Sequence, residues 1–335
     1  MSNLVMEKIM ARARGQRARI VLPEGTDPRA IAAAIEATRI DVARVILIGN
    51  ASEIAPKIPK KYLEKIAIIN PKEQLTAQEV YANALYELRK NKGMTLPLAR
   101  SEVQKNIIFA TMMVKLRDAD GIVAGISLPT ADVIRPAFHL IKAKPGVGKV
   151  SSFMIMTVPN GVKVGSNGAL IFADCGINPN PTAEELAEIA IETANSARKL
   201  CGITPRVALL SFSTHGSGGD DESVIKVQTA LKIVKDTHPE IMIDGDLQAD
   251  AAINQEVARV KCKRNSEVAG RANVLIFPDL NSANISYKLV QRIAKTETIG
   301  PLLQGLNAPI NDVSRGATAS EMVKSIAITA LQAKG

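Results

Sequence analysis

At 335 residues, with 46% apolar and 22% charged residues, the chain has the composition of an ordinary soluble globular protein long enough for two domains. The formal charge of +9 suits either an anionic ligand or a solvated basic surface. The absence of Trp, an aromatic content of only 3% and the lack of any long basic block argue against nucleic acid as a partner.

The spacing of Leu4, Val5, Ile9 and Met10 predicts a helix over residues 3–14, capped by Ser2 or Asn3. Residues 17–23 read as a strand ended by Pro23. The loop Glu24-Gly25-Thr26-Asp27-Pro28 follows, with Pro28 suited to a first helical turn after Asp27. Residues 29–39 are Ala/Ile-rich and helical, and residues 44–49 form a buried strand. Strand, helix and strand in alternation predict a parallel sheet with helices on both faces. The pattern continues with a strand at 66–69, helices at about 76–91, 97–105 and 107–117, a strand at 120–125 and a helix at 131–142. The Pro/Gly break Lys144-Pro145-Gly146-Val147-Gly148 marks a domain boundary.

Beyond it, strand-like runs at 150–158 and 168–173 are expected to pair with each other. Thr182-Ala183-Glu184-Glu185 is a capping box that opens a helix reaching Lys199. A strand at 206–212 leads to the polar loop Ser213-Thr214-His215-Gly216-Ser217-Gly218-Gly219, and a helix follows at 222–236. Strands at 241–246 and 272–279, helices at 247–259 and 282–295, and an apolar run at 299–303 come next. Residues 304–316 then read as one long ordered polar loop, before a last helix at 320–333.

In open α/β sheets, ligands bind beyond the carboxyl ends of the strands. Polar clusters stand there after residues 22, 212, 243 and 277, and the loop holding Ser314-Arg315 makes a fifth. A guanidinium fork in such a loop suits phosphate or carboxylate. Neither G-x-G-x-x-G nor G-x-x-x-x-G-K-[ST] occurs, and Ser213 to Gly219 has the composition of a phosphate-cradling loop or of a mobile turn. His139, His215 and His238 share no metal-ligand spacing. Three scattered cysteines, no signal-peptide core and no apolar run near about 18 residues predict reduced thiols in a cytoplasmic protein.

Several longer stretches carry a family resemblance. They are Ala119-Asp120-Gly121-Ile122-Val123-Ala124-Gly125, Thr130-Ala131-Asp132 with Arg135-Pro136-Ala137, and Phe172-Ala173-Asp174. Asp244-Gly245-Asp246-Leu247-Gln248, Phe277-Pro278-Asp279-Leu280 and Pro309-Ile310-Asn311-Asp312-Val313-Ser314-Arg315-Gly316 complete the set. In this order they resemble the phosphate acetyltransferase (phosphotransacetylase) family, in its short form without a regulatory N-terminal region.

The resemblance implies interconversion of acetyl-CoA plus phosphate with acetyl phosphate plus CoA, by direct attack of the CoA thiolate on the acyl phosphate. It implies an α/β fold of two domains, each a mostly parallel sheet flanked by helices, with the active-site cleft between them, an architecture like that of isocitrate and isopropylmalate dehydrogenases. Residues 1–145 plus 308–335 would form the first domain and 146–307 the second. It further implies a homodimer and no bound metal or cofactor, with coenzyme A as a substrate and stimulation by a monovalent cation.

The resemblance also implies site residues. Arg315 takes the phosphate and the developing charge, and Ser314 donates to the carbonyl or orients the thiol. Arg89 and Arg315, with Ser213 and Thr214, contact the acyl phosphate, and Arg29 and Arg135 contact CoA. From the residues alone, Arg29, Arg89 and Arg135 can also be read as ordinary helix-surface cations. Where the family carries a basic Asp six residues after the loop Arg, this chain has Glu321, which also closes a capping box with Thr318. Glu321 is thus a base, a cap, or both. Leu128-Pro129 stands where the family has polar residues, and Pro129 has neither a hydroxyl nor an amide donor. Alternatives are transfer of a longer acyl group, propanoyl or butyryl, a non-catalytic ligand-binding protein on the same scaffold, and a metal-dependent hydroxy-acid dehydrogenase.

Overall fold

A computed structural model of the chain describes residues 4–159 and 161–334, so the helix cap expected at Ser2 or Asn3 lies outside the described residues. Two compact units divide it. The first comprises Ile9–Lys144 with residues 306–334, and the second Pro145–Gly305 with residues 4–8.

The strands are β1 (Arg19–Leu22), β2 (Arg44–Ile48), β3 (Ala67–Ile69), β4 (Gly121–Ala124), β5 (Ser151–Thr157), β6 (Ala169–Ala173), β7 (Arg206–Leu210), β8 (Met242–Leu247), β9 (Val274–Ile276), β10 (Thr298–Gln304) and β11 (Ile310–Asp312). In the first unit they form a sheet of order β11-β4-β1-β2-β3, every pair of which is parallel. The strands are short and nearly all apolar, as expected where helices cover both faces. Ile20, Val21, Leu22, Leu47, Ile48, Ile122 and Val123 are buried within it. The helix Pro28–Arg39 and the last helix, Ala319–Lys334, pack against this sheet and each other. In the second unit the order is β10-β5-β6-β9-β7-β8; β5 pairs antiparallel with β10 and β6, and the rest of the sheet is parallel. The two strand-like runs expected to pair across residues 158–168 do so.

Three local expectations change. The stretch 304–316 is not one irregular loop, because Ile310–Asp312 becomes the edge strand β11, in register with Ile122, Val123 and Ala124 of β4. Only Ile310 is apolar there, so hydrophobic alternation gave no signal. The strand persists because the buried Asn311 amide donates to Thr329 Oγ1 at 2.8 Å and Gln332 Oε1 at 2.7 Å on the last helix. The helix expected over 131–142 is α-helical only from Thr130 to Pro136 and then widens into a π turn, Ala137–Ile141. Pro136 has no amide with which to close the regular ladder. The helix expected over 247–259 is two short ones, Ala249–Ile253 and Gln255–Lys261, because the Asn254 side chain between them accepts from the amides of Glu256 and Val257 and caps the second. Among the described residues no helix is long and apolar enough to cross a membrane.

Candidate active site

The strand ends of the first unit converge on one polar layer. Glu24 follows β1 and is only 8% exposed. Its carboxylate accepts from the backbone amides of Gly125 (2.8 Å), Ile126 (3.1 Å), Ser127 and Leu128 (2.6 Å), and from Ser127 Oγ (2.8 Å). The chain leaving β4 is therefore wrapped around an internal anion. This is also what the Leu128-Pro129 substitution amounts to structurally: the Leu128 amide serves Glu24, and Pro129 merely leads into the helix that starts at Thr130.

Arg29 lies in the first turn of the helix Pro28–Arg39, whose N-cap is Asp27. Its guanidinium grips Asp27 through Nε (3.1 Å) and Nη2 (2.8 Å), which holds the Asp27 carboxyl below its ordinary range. Its remaining donors go to main-chain carbonyls: Ile126 at 2.8 Å, Arg315 at 2.8 Å and Ala317 at 3.4 Å.

At the end of β11, Asp312 is 2% exposed and its Oδ1 has no hydrogen-bond partner. The atom lies so close to Gly125, whose φ is +102°, that a Cβ there would stand 1.9 Å from it. Burial pushes the carboxyl up to about 7, helped by the charge of Glu24 and opposed by the Thr130 hydroxyl and by Arg315. Asp312 thus stays protonated in the folded chain over a range in which it ionises in the unfolded one. Its contribution to stability is complete below about pH 4 and is lost as the pH rises through about 7, up to about 4 kcal/mol in all. Asp312→Asn should abolish that slope, so urea titrations at pH 5 and pH 8 should give a stability difference smaller in the variant than in the parent. Equal differences would show that Asp312 does not titrate in this window.

Ser314 and Arg315 follow, both exposed. Ser314 Oγ accepts weakly from the Gly316 amide at 3.3 Å. Among the described residues the Arg315 guanidinium makes no hydrogen bond, in contrast to Arg29. Its charge is instead left available beside the Asp312 carboxyl, which burial pushes up to about 7. Glu321 accepts from the Thr318 amide (2.7 Å) and hydroxyl (3.1 Å), while the Glu321 amide donates to Thr318 Oγ1 at 3.2 Å. The capping box expected from sequence is thus formed, with the carboxylate half-buried six residues after Arg315.

Arg89 ends the helix Leu75–Arg89, and Arg135 lies on Thr130–Pro136. The two converge on His139, whose imidazole is held below its ordinary range by partial burial and then by both guanidinium charges. Neither guanidinium is hydrogen-bonded among the described residues. Arg135 also lines a cavity of about 710 Å³ with Pro23, Thr26, Lys105, Asn106 and Leu128, a size suited to a small molecule or part of a cofactor.

Ser213 and Thr214 belong to the second unit, after β7, and are 0% and 2% exposed. Ser213 Oγ accepts from the Gly218 amide at 2.9 Å and bonds Asp246, and Thr214 Oγ1 exchanges bonds with the side chain and amide of Gln248. Both hydroxyls therefore shape their own loop. Sequence reading left Glu24, Gly125 and Asp312 without a role and gave Asp27 only a helix start; the one signal for Glu24 and Gly125 was their place at the end of an apolar run, and Asp312 gave none of that kind. Among the described residues no group of three or more His, Cys, Asp or Glu is placed to hold a metal ion.

Comparison with known proteins identifies the family. The family model described as phosphate acetyl/butaryl transferase matches residues 4–330. The chain is 50% identical to the phosphate acetyltransferase of Thermoanaerobacterium thermosaccharolyticum, over 98% of this chain and 99% of that one. It is 46% identical to the phosphate acetyltransferase of Clostridium acetobutylicum, over 98% of each. The crystal structure of a phosphotransacetylase from Streptococcus pyogenes superposes with a TM-score of 0.89 at 39% identity, over 100% of this chain and 99% of that one. A family match that runs through both units and through the Ser314-Arg315 strand end places the chain in the phosphate acetyl/butaryl transferase family.

Proposed function

We propose that this transferase moves the acyl group in one step, from phosphate to the sulfur of CoA or back, with no acyl-enzyme intermediate. The overall conversion is acetyl phosphate plus CoA to acetyl-CoA plus phosphate. In that direction Glu321 takes the thiol proton and the thiolate attacks the acyl carbonyl. The C–S bond forms, the C–O bond to phosphate breaks, and phosphate leaves with the bond's electron pair. Thiols are weak nucleophiles until deprotonated, which is why a base is needed. Arg315 receives the leaving phosphate and Ser314 donates to the carbonyl oxygen as it gains charge, a contribution of about 3 kcal/mol per well-aimed donor. Arg89 adds a second cation for the phosphate, and Arg135, lining the 710 Å³ cavity, one for CoA. The hydroxyls of Ser213 and Thr214 and the amides of both residues are engaged within the second unit, so the roles proposed above rest on residues of the first unit.

The observation that carries this reading is the Ser314-Arg315 pair: an exposed hydroxyl and a guanidinium unbonded among the described residues, at the end of β11, on a loop whose backbone is anchored on one side by Arg29 and on the other by the Thr318–Glu321 box. The assay that tests it follows thioester formation from CoA with acetyl, propanoyl and butanoyl phosphates in the presence of EDTA. Turnover should be greatest with acetyl phosphate and indifferent to EDTA. A preference for butanoyl phosphate would assign the longer acyl group, and no turnover with any of the three would make the chain a binding protein. Exchanging sodium for potassium in the same assay reads the monovalent-cation stimulation.

The homodimer reading is supported by the helix Leu280–Ile293, which leaves Ile285 (57%), Leu289 (53%) and Ile293 (78%) exposed at four-residue spacing along one side. Such a stripe on a soluble protein fits contact with a second copy. Light scattering should return twice the chain mass, and a monomer mass at micromolar concentration would remove this reading. Three cysteines that remain thiols, Cys175 and Cys201 buried and Cys262 half-buried, support a reducing, cytoplasmic setting.

A further inference from the structure

We propose that Arg29 is a positioning residue for the loop bearing Ser314 and Arg315, and not a ligand of the CoA phosphates; the inference rests on the transferase reading above. A guanidinium has five N–H donors. Here all five are in use: Nε and one Nη2 hydrogen on the two Asp27 oxygens, the other Nη2 hydrogen on the carbonyl of Ile126, and both Nη1 hydrogens on the carbonyls of Arg315 and Ala317. None is left for a phosphate. To bind one, Arg29 would have to release an ion pair and three carbonyls at once. The partner carboxylate is itself fixed, because Asp27 caps the same helix by accepting the Arg29 amide at 2.8 Å.

The carbonyls that Arg29 gathers belong to two neighbouring strand ends. Ile126 follows β4, and Arg315 and Ala317 follow β11. Glu24 takes the Ile126 amide while Arg29 takes its carbonyl, so this residue is held from both sides. The side chain of Arg29 therefore fixes the peptide carbonyl of Arg315, and with it the direction in which the Arg315 side chain leaves the backbone. A lysine could not replace it: its single nitrogen carries the charge, but cannot present five donors in a planar fork to acceptors on three segments. Arg135 and Arg89, by contrast, keep their donors unengaged among the described residues and remain the cations open to a phosphate.

The experiment compares the parent with Arg29→Lys and Arg29→Ala, using CoA and 3′-dephospho-CoA as thiols. If Arg29 positions the loop, kcat falls about 10–100-fold in both variants, the size expected for a misplaced reacting group. The ratio of Michaelis constants for the two thiols stays as in the parent, and added guanidinium ion restores part of the turnover of Arg29→Ala. Amide hydrogen exchange at residues 313–320 quickens in both variants, whereas exchange in β1 and β4 does not. If instead the ratio of Michaelis constants collapses toward unity, with kcat preserved in Arg29→Lys and exchange at 313–320 unchanged, Arg29 is a CoA ligand and the inference is overturned. Should Arg29→Ala not fold, as judged by its melting curve, Arg29→Lys decides the matter alone. Should the parent itself make no thioester, the transferase reading fails, and the exchange measurement still decides whether Arg29 anchors the loop.

Discussion

Replacing Glu321 with Gln should lower kcat by roughly 10²–10³-fold, as for loss of a general base. Either Michaelis constant should move by no more than about threefold if the carboxylate acts only in the chemical step. The substitution separates two roles that sequence alone leaves merged. Glu321 is the fourth residue of a capping box, the third of its helix, and its Oε2 accepts from both the amide and the hydroxyl of Thr318. Gln is an accepted residue at that position of the box and retains a carbonyl oxygen for the same bonds. The helix Ala319–Lys334 should therefore keep its first turn, and the melting temperature should stay within a few degrees, while the ability to take a proton is lost. Glu321→Ala removes both, and should cost about 1 kcal/mol of stability in addition, as for loss of a cap. An undiminished kcat in Glu321→Gln would leave the residue as a cap only, and the base would have to be sought elsewhere.

Arg315→Ala should reduce kcat about 10³-fold, the loss seen when a principal donor to a developing charge is removed. Negative charge gathers on the carbonyl oxygen and the departing phosphate in the same step, and the Arg315 guanidinium, unbonded among the described residues, is the cation on the catalytic loop. Arg315→Lys should recover only part, since a point charge replaces a fork. The backbone carbonyl of residue 315 survives either change, so the bond from Arg29 persists and the loop stays anchored. That gives a clear distinction from the Arg29 variants, in which exchange at 313–320 quickens. A second readout comes from Asp312, whose carboxyl is drawn down by the charge of Arg315. Removing that charge should push the Asp312 transition higher still. An Arg315→Ala enzyme within tenfold of the parent would exclude Arg315 from charge stabilisation.

Much of this site was legible before any coordinates. The helix starts at Pro28, Thr182 and Thr318 were readable because a cap and its amide lie within three residues of each other. The buried parallel strands were readable because they are short apolar runs bounded by Pro, Gly and Asn. The edge strand β11 was not, since Asn311 and Asp312 carry no apolar alternation and are satisfied only by groups far along the chain. The break at Pro136 was visible as a residue, but whether it would end the helix or widen it into a π turn depended on packing.

By itself the sequence determined the alternating α/β pattern in both units, the family, and the identity of the hydroxyl, guanidinium and carboxylate at Ser314, Arg315 and Glu321. Those features are local in the chain or carried by contiguous motifs. Only the tertiary structure decided what Arg29 and Asp312 do. The carbonyls bound by Arg29 lie 97, 286 and 288 residues away in sequence, at distances that no periodicity or propensity encodes. The Asp312 carboxyl is pushed up to about 7 because folding removes it from water beside Glu24, and Oδ1 has room only because residue 125 is a glycine. Burial and long-range pairing set the charge state of one and the donors of the other, and neither exists until the strands β1, β4 and β11 lie side by side.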